Sequence, residues 1–465
     1  MLYDVAVHPM DMHLYRDKFS TPRQREIWSE ENIIRSRLEI EAVLAEAEAE
    51  LGMIPQAAAR EIRRKATIDY VTPEHYAELY RKKGHDIVAL VWALAGVCEG
   101  GHGEYVHWRS TTQDIIWTST AMLYKASTDV LLDDLRAFEG VLLDLAAKHT
   151  LTIMPGRTHG QHCPPVTFGF YLAIIVAAVR RNIERLKECR RRLLVGKITS
   201  AVGTGSSYGP PEIATRLQEI VCKRLGLAVP PITESEVARD RVAELVNVCA
   251  LVATTVEKLA RDIWTLQRVE IGELAEPFRE GEQVGSSTLA HKRNPFGCEW
   301  VQGVCRLIRS NAYAMNEQFC FDIRDGSRLA IEYVCVPTCL MMTSAATVGL
   351  TQILSKLEVF PERMRRNFDA SRGLSMDEPV MLALADVIGR QAAHDLLYGC
   401  AMKAFHENRH LGEVLSEHPV VMRHLTLQQI EELMKPEKYL GTIPQQVEGA
   451  IAASVAARRA EGVAT

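Results

Sequence analysis

Between Pro231 and Pro277 the apolar positions Val242, Leu245, Val246, Cys249, Val252, Val256, Leu259, Ile263 and Leu266 recur at steps of three and four residues. That is the period of one helix face, and its length predicts a helix well beyond the three turns usual in globular domains. Comparable stretches follow Thr112, follow Pro164 and Pro165, follow Pro295 through Ala314, and cover about 330–355. Prolines near helix starts cost little, because the first amides of a helix have no internal partner. Alternating β patterns are scarce and no fixed-period repeat is present. Each long helix carries an apolar stripe that needs cover, so the expected fold is all-α, built on a central bundle of long helices.

The N-terminal hundred residues hold shorter helical patterns, such as IIRSRLEIEAVLAEAEAELG ending at Gly52 and Pro55, and the patterns shorten again after about 356. The expected partition is an N-terminal helical domain over 1–105, the long-helix bundle over 106–355 and a C-terminal helical domain over 356–465. Helices this apolar have surface left to bury against copies of the chain, so an oligomer is expected.

Hydrophobic residues make up 47% of the chain and charged residues 24%, and 54 Lys plus Arg stand against 59 Asp plus Glu. A net charge of −5, with the signs interspersed, points away from nucleic acid and from an anionic membrane surface. The eleven cysteines, Cys320 among them, include no CxxC pair and read as reduced thiols in a cytoplasm. The N-terminus lacks a basic start followed by an apolar run, so no export signal is expected. The stretch YLAIIVAAV at 171–179 is cut off by Arg180 and Arg181 and is too short to span a bilayer.

Three polar, turn-rich segments interrupt the helices: HGEYVHWRSTTQDI (102–115), MPGRTHGQHCPPVTFG (154–169) and GEQVGSSTLAHKRNP (281–295). Helix N-termini carry free amide donors and partial positive charge, which suits carboxylates. Thr111, Thr112 and Gln113 in the first segment, with Thr158 and Gln161 in the second, add side-chain donors. Alone, a threonine before a helix reads as a cap. His159 titrates near neutrality and is a candidate for proton transfer. With His162 and Cys163 it could also read as a metal ligand, but Arg157 adjoins them and no second ligand cluster exists, so neither a metal nor a cofactor is expected. In the third segment Gly281 and Gly285 free the backbone, Ser286 and Ser287 bring hydroxyls, and Lys292, Arg293 and Asn294 bring donors just before Pro295. Such a loop can close over an anion.

Together STTQDI, GRTHGQH, SAVGT, KRNPFGCE and GRQAAHD, in this order, resemble the signatures of the fumarase/aspartase superfamily, whose loop pattern is GSSxMPxKxNP. The likeness runs from TPRQREIWSEEN (21–32) to GRQAAHDLLY (389–398) and is strongest to the branch of adenylosuccinate lyases and 3-carboxy-cis,cis-muconate cycloisomerases. It implies a cytoplasmic homotetramer with active sites shared between subunits, and a small polycarboxylate substrate. A proton is removed next to a carboxylate, and a leaving group is expelled from the β-carbon. On this resemblance Ser286 is the general base, His159 the general acid, Glu299 the partner of that histidine, and His85, in KKGHDIVAL, a further active-site residue. Thr111, Thr112, Thr158, Lys292 and Asn294 bind the carboxylates, Ser287 orients the loop, and Gln113 and Gln161 complete the substrate contacts.

The chain departs from the pattern at several points. Leu289-Ala290 replaces Met-Pro in the loop, which removes a rigid proline. Lys18-Phe19 stands where adenylosuccinate lyases place an Arg-Tyr pair for the nucleotide phosphate, and Pro379 stands at a further arginine, while Arg390 remains. Exchanging arginine at a bidentate site is not conservative. Arg109 replaces a glycine and Arg328 a histidine. Each, read singly, is a surface arginine, although Arg109 turned inward would add charge beside the carboxylates. These departures favour C–N bond cleavage in an N-succinyl-type compound other than a nucleotide, with fumarate released. Within the same fold the alternatives are a muconate cycloisomerase or a catalytically silent relative, and retention of Ser286, His159, Lys292, Asn294 and Glu299 speaks against silence.

Overall fold

A computed structural model describes residues 8–233, 236–317 and 326–463; Cys320 lies outside them. Among the described residues the chain is 69% helix and 4% strand, as the helical periodicity predicts. Five helices dominate: Thr112–Lys148, Phe168–Leu193, Asp240–Leu266, Phe296–Asn316 and Arg328–Leu354, of 37, 26, 27, 21 and 27 residues. At a rise of about 1.5 Å per residue the longest extends roughly 55 Å.

The nine apolar positions that define the period between Pro231 and Pro277 are all buried, none more than 7% exposed, and they line one face of Asp240–Leu266. Removing each such aliphatic side chain from water stabilises the fold by about 1.5–3 kcal/mol, which is why the period survives along the whole helix. The helix Arg328–Leu354 keeps Pro337 in its interior. It, and not the helix around 171–179, is long and apolar enough to cross a membrane, and 61% of its apolar window is buried inside the protein.

The chain divides into two compact units. The first comprises residues 1–135, 182–254 and 303–348, the second 136–181, 255–302 and 349–465, so the division falls inside each of the five long helices. In the first unit one apolar cluster, from Ile34 to Val106, joins Glu30–Glu50 to the short helices after it. A second, from Ile40 to Val221, joins the other side of that helix to the start of Thr112–Lys148 and to Pro211–Arg224. In the second unit the short C-terminal helices build their own cluster between Val380 and Ile430.

The segment at 154–169 is the main departure from the expected pattern. It forms an antiparallel hairpin, Ile153–Thr158 with Gln161–Thr167, and the following helix begins at Phe168 rather than directly after Pro165. Pro155 pairs with Pro165 across a two-stranded ribbon, where a missing amide costs little because both strands are edges. A Cβ on Gly156 would lie 2.4 Å from the Pro164 carbonyl oxygen, so only glycine allows this close crossing. Thr167 ends the strand and caps the helix, its Oγ1 accepting the Phe170 amide at 3.1 Å.

In the second unit Glu139 is fully buried on Thr112–Lys148 and accepts a bidentate pair from Arg180 together with a 3.3 Å bond from Arg458 on Ile443–Ala460. Arg180 and Arg136 also reach Glu461. Removing one member of a buried ion pair leaves uncompensated charge in a medium that cannot solvate it. Glu139→Gln should therefore destabilise the protein by about 3–5 kcal/mol, read as a fall in the thermal midpoint and faster proteolysis of the C-terminal helix. An unchanged midpoint would show that this network contributes nothing.

Candidate active site

In the first unit the segment at 102–115 is a strained turn. His107 and Arg109 both take left-handed backbone angles, φ 61° and 57°. At Arg109 that conformation explains why a glycine suits the position, and the exposed arginine bears the cost. One side chain ties the turn down. Asp114, fully buried, accepts hydrogen bonds from Ser110 Oγ, the Thr111 amide, Lys197 Nζ at 2.5 Å, the Thr199 and Ser200 amides, and Tyr208 Oη at 3.0 Å. Asp114 is the third residue of its helix, reaching back to the residue that precedes it, which is half of a capping box. Burial pushes the Lys197 ammonium down, while the Asp114 carboxylate opposes that shift. This aspartate was not among the sequence-derived site residues; its place at the third helical position after two threonines was the available signal.

Next to Asp114, His85 caps the helix Asp86–Val97, its Nδ1 accepting the Val88 amide at 3.3 Å, and its Nε2 lies 3.5 Å from Thr112 Oγ1. Two expected site residues on separate helices are thereby brought together. Gln113 turns its Oε1 into the protein without a partner. Arg328, expected at the surface, is 2% exposed and paired with Glu236 and, at 3.9 Å, with Glu332. Those glutamates supply the compensation a buried guanidinium needs; Glu332 is its neighbour one turn on along the same helix, whereas Glu236 is brought beside it only by the fold.

The second unit carries the other two segments. His159 and Gly160, with φ 52° and 76°, form the tip of the hairpin, where a two-residue turn requires left-handed angles at both positions. Thr158, His159 and Gln161 stand exposed on that tip. One pair back from the turn, Arg157 is bound to the fully buried Glu273, which also accepts from Asn367 at 2.8 Å.

The third segment folds on itself. Ser286 Oγ accepts the amides of Thr288 at 3.3 Å and Leu289 at 3.1 Å, and Asn294 Nδ2 donates to the Gly285 carbonyl at 2.8 Å. A Cβ on Gly285 would sit 1.9 Å from the Lys292 carbonyl oxygen, so glycine is required for the loop to close. Ser287 and Lys292 remain exposed. Arg293 turns away from the loop to pair with Glu358.

Two expectations change. The amides opening Phe296–Asn316 are not free for a ligand, because the Glu276 carboxylate accepts those of Gly297 at 3.1 Å and Cys298 at 2.5 Å. Within the chain Glu299 accepts from Trp264 Nε1 at 3.0 Å rather than from His159, which makes no hydrogen bond among the described residues.

Comparison with known proteins decides the class. A family model described as Lyase matches residues 16–309, and one described as Adenylosuccinate lyase C-terminus matches residues 373–450. The chain belongs to the lyase family. It is an adenylosuccinate lyase-like enzyme of the fumarase/aspartase superfamily. It is 41% identical over 452 residues to an adenylosuccinate lyase from Methanocaldococcus jannaschii, covering 96% of each chain. It is 36% identical over 448 residues to an N-acetyl-S-(2-succino)cysteine lyase from Dickeya dadantii, covering 96% of this chain and 98% of that one. Among solved structures, a 3-carboxy-cis,cis-muconate lactonizing enzyme from Pseudomonas putida superposes with a TM-score of 0.87 at 32% identity, covering 95% of this chain and 99% of that one. The all-α lyase fold is thus the one expected from the sequence.

Beneath the strained turn the lyase buries two more carboxyls on one face of Glu30–Glu50. Glu41 binds His107 Nδ1 at 2.7 Å. Burial opposes the charge of His107, but the Glu41 carboxylate and its hydrogen bond outweigh it and raise the imidazole's pKa. Glu48, two turns on, has no partner for either oxygen. Burial first, and the Glu41 charge second, push its carboxyl up to about 9, against the opposing charge of Arg109. Such a group is neutral in the fold and ionised in the unfolded chain between its ordinary value of 4.5 and about 9, so its stabilising contribution is full below 4.5 and is lost as pH rises through that window. Glu48→Gln should raise the thermal midpoint by a few degrees at pH 7–8, with the two melting curves converging near pH 4. A constant gap at every pH would rule out the neutral carboxyl.

Proposed function

We propose that this lyase cleaves the C–N bond of an N-succinyl-type substrate by β-elimination, releasing fumarate. The observation that carries the reading is the paired amides on Ser286 Oγ, from Thr288 and Leu289, inside a loop clamped by Asn294. A serine hydroxyl is a poor base; two amide donors and the nearby Lys292 charge stabilise the alkoxide it must become. Ser286 then removes the proton beside a carboxylate. Lys292, Asn294, Thr111, Thr112 and Thr158 hold the carboxylates and spread the charge of the aci-carboxylate intermediate, with Gln113, Gln161 and Arg109 completing the contacts. His159 protonates the departing nitrogen, Glu299 orients that ring and favours its charged form, His85 acts beside Thr112, and Ser287 orients the loop. Because the Glu276 carboxylate already occupies the amides that open Phe296–Asn316, the anion there is held by side chains instead.

The active sites are formed between subunits of a cytoplasmic homotetramer, so that Glu299 of one chain meets His159 of another. Exposed apolar side chains on the long helices, Ile174, Leu251, Leu307 and Tyr313, support that assembly. The separate apolar clusters of 34–106 and 380–430 support the partition into 1–105, 106–355 and 356–465. The 36% identity to a lyase named for an S-succino compound favours, as a second reading, cleavage at sulfur by the same residues.

Ser286→Ala should lower fumarate release, followed by its ultraviolet absorbance, by about 10²–10⁴-fold, the usual worth of a positioned general base. Light scattering should still report four 52.0-kDa chains. Full activity in the variant removes the base assignment, and a monomeric wild type removes the shared site.

A further inference from the structure

A cavity of about 640 Å3 lies in the first unit beside the His85–Thr112 pair. Asp86, which follows His85, lines it, as do Ile116 and Thr120, one and two turns beyond Thr112 on the same helix face. Its volume is that of a small-molecule site.

Four rings form much of its wall: Trp28, Trp117, Tyr124 and Tyr333. The indole N–H groups are spent elsewhere, Trp28 on Ser127 Oγ at 3.4 Å and Trp117 on the Val195 carbonyl at 2.8 Å. The tryptophans therefore show the cavity carbon rather than donors.

Its charges are balanced and committed. Arg25, Arg37 and Arg239 face Asp11, Asp86 and Glu332 in the lining. Arg25 is paired with Asp17 at 2.7 Å, Arg37 with Asp86 at 3.2 Å and Tyr76 Oη at 3.0 Å, and Arg239 with Glu332 at 2.6 Å while lying 4.7 Å over the Trp117 ring. A phosphate dianion entering here would have to break these ion pairs or remain uncompensated. Arg37 Nε is buried without a partner.

We propose that this cavity receives the leaving group of the elimination and selects an unphosphorylated one with an apolar, ring-bearing body. The proposal rests on the β-elimination reading. The base takes one proton from C3 of the succinyl group, and that C–H pair becomes the double bond of fumarate. The C2–N pair leaves with the amine, which takes up one proton, so no oxidant is needed.

The test compares three substrates on the full-length wild type: adenylosuccinate, succinyladenosine, which lacks only the phosphate, and N-phenylaspartate. Fumarate from at least one of the unphosphorylated compounds should form with a kcat/KM equal to or above that of adenylosuccinate. A preference for adenylosuccinate over both overturns the proposal and leaves the elimination standing. No fumarate from any of the three defeats the elimination itself. Tyr333→Arg, which adds a cation to the wall, should improve adenylosuccinate relative to N-phenylaspartate by about tenfold, the worth of one new charged contact. An unchanged ratio places the leaving group outside the cavity and overturns the proposal.

Discussion

The buried carboxylate of Asp114 is the constraint on which the first site segment depends. Six donors converge on it, from the turn at Ser110 and Thr111, from Lys197 and the two amides at Thr199 and Ser200, and from Tyr208. A carboxylate with no exposure survives only when its charge is matched and its lone pairs are filled. Meeting that demand draws together segments some eighty residues apart in the chain and fixes the left-handed turn through Arg109. Thr111 and Thr112 owe their positions to a residue that need not touch substrate.

The same logic recurs at the third segment. Glu276 fills the amides that open Phe296–Asn316, and Glu273 anchors Arg157 beside the hairpin turn. Each site segment is thus held by an acid, fully buried at Asp114 and Glu273 and half-buried at Glu276, that satisfies the backbone or an arginine. At the third segment this preorganisation keeps the helix end from competing for the substrate's carboxylates, and leaves recognition to Lys292, Asn294 and the threonines.

Much of this was legible in the residues. The period from Val242 to Leu266 marks a buried helix face because aliphatic burial repeats with the helix turn. The glycine-serine loop, the Thr-Thr turn and the His-Gly pair stood out because each needs backbone freedom or donors at a helix end. The hairpin at 153–167 was hidden by its prolines, which read as a helix start. They are tolerated in strands only because a two-stranded ribbon is all edge. Arg328 read as surface for a related reason: its partner Glu236 comes from elsewhere in the fold, and charge pairing across the fold leaves no local pattern, while Glu332, four residues on, is a spacing that exposed helix faces also show.

By itself, the sequence determined the helices, their lengths, the three polar segments and the reaction class of the family to which they belong. These depend on local periodicity and on residue types at short spacing, which the chain carries wherever it folds. Tertiary structure alone decided which acids are buried, which arginines are already paired and which amides remain free. Those properties come from long-range contacts, because the cost of burying a charge depends on what the fold brings within about 4 Å of it.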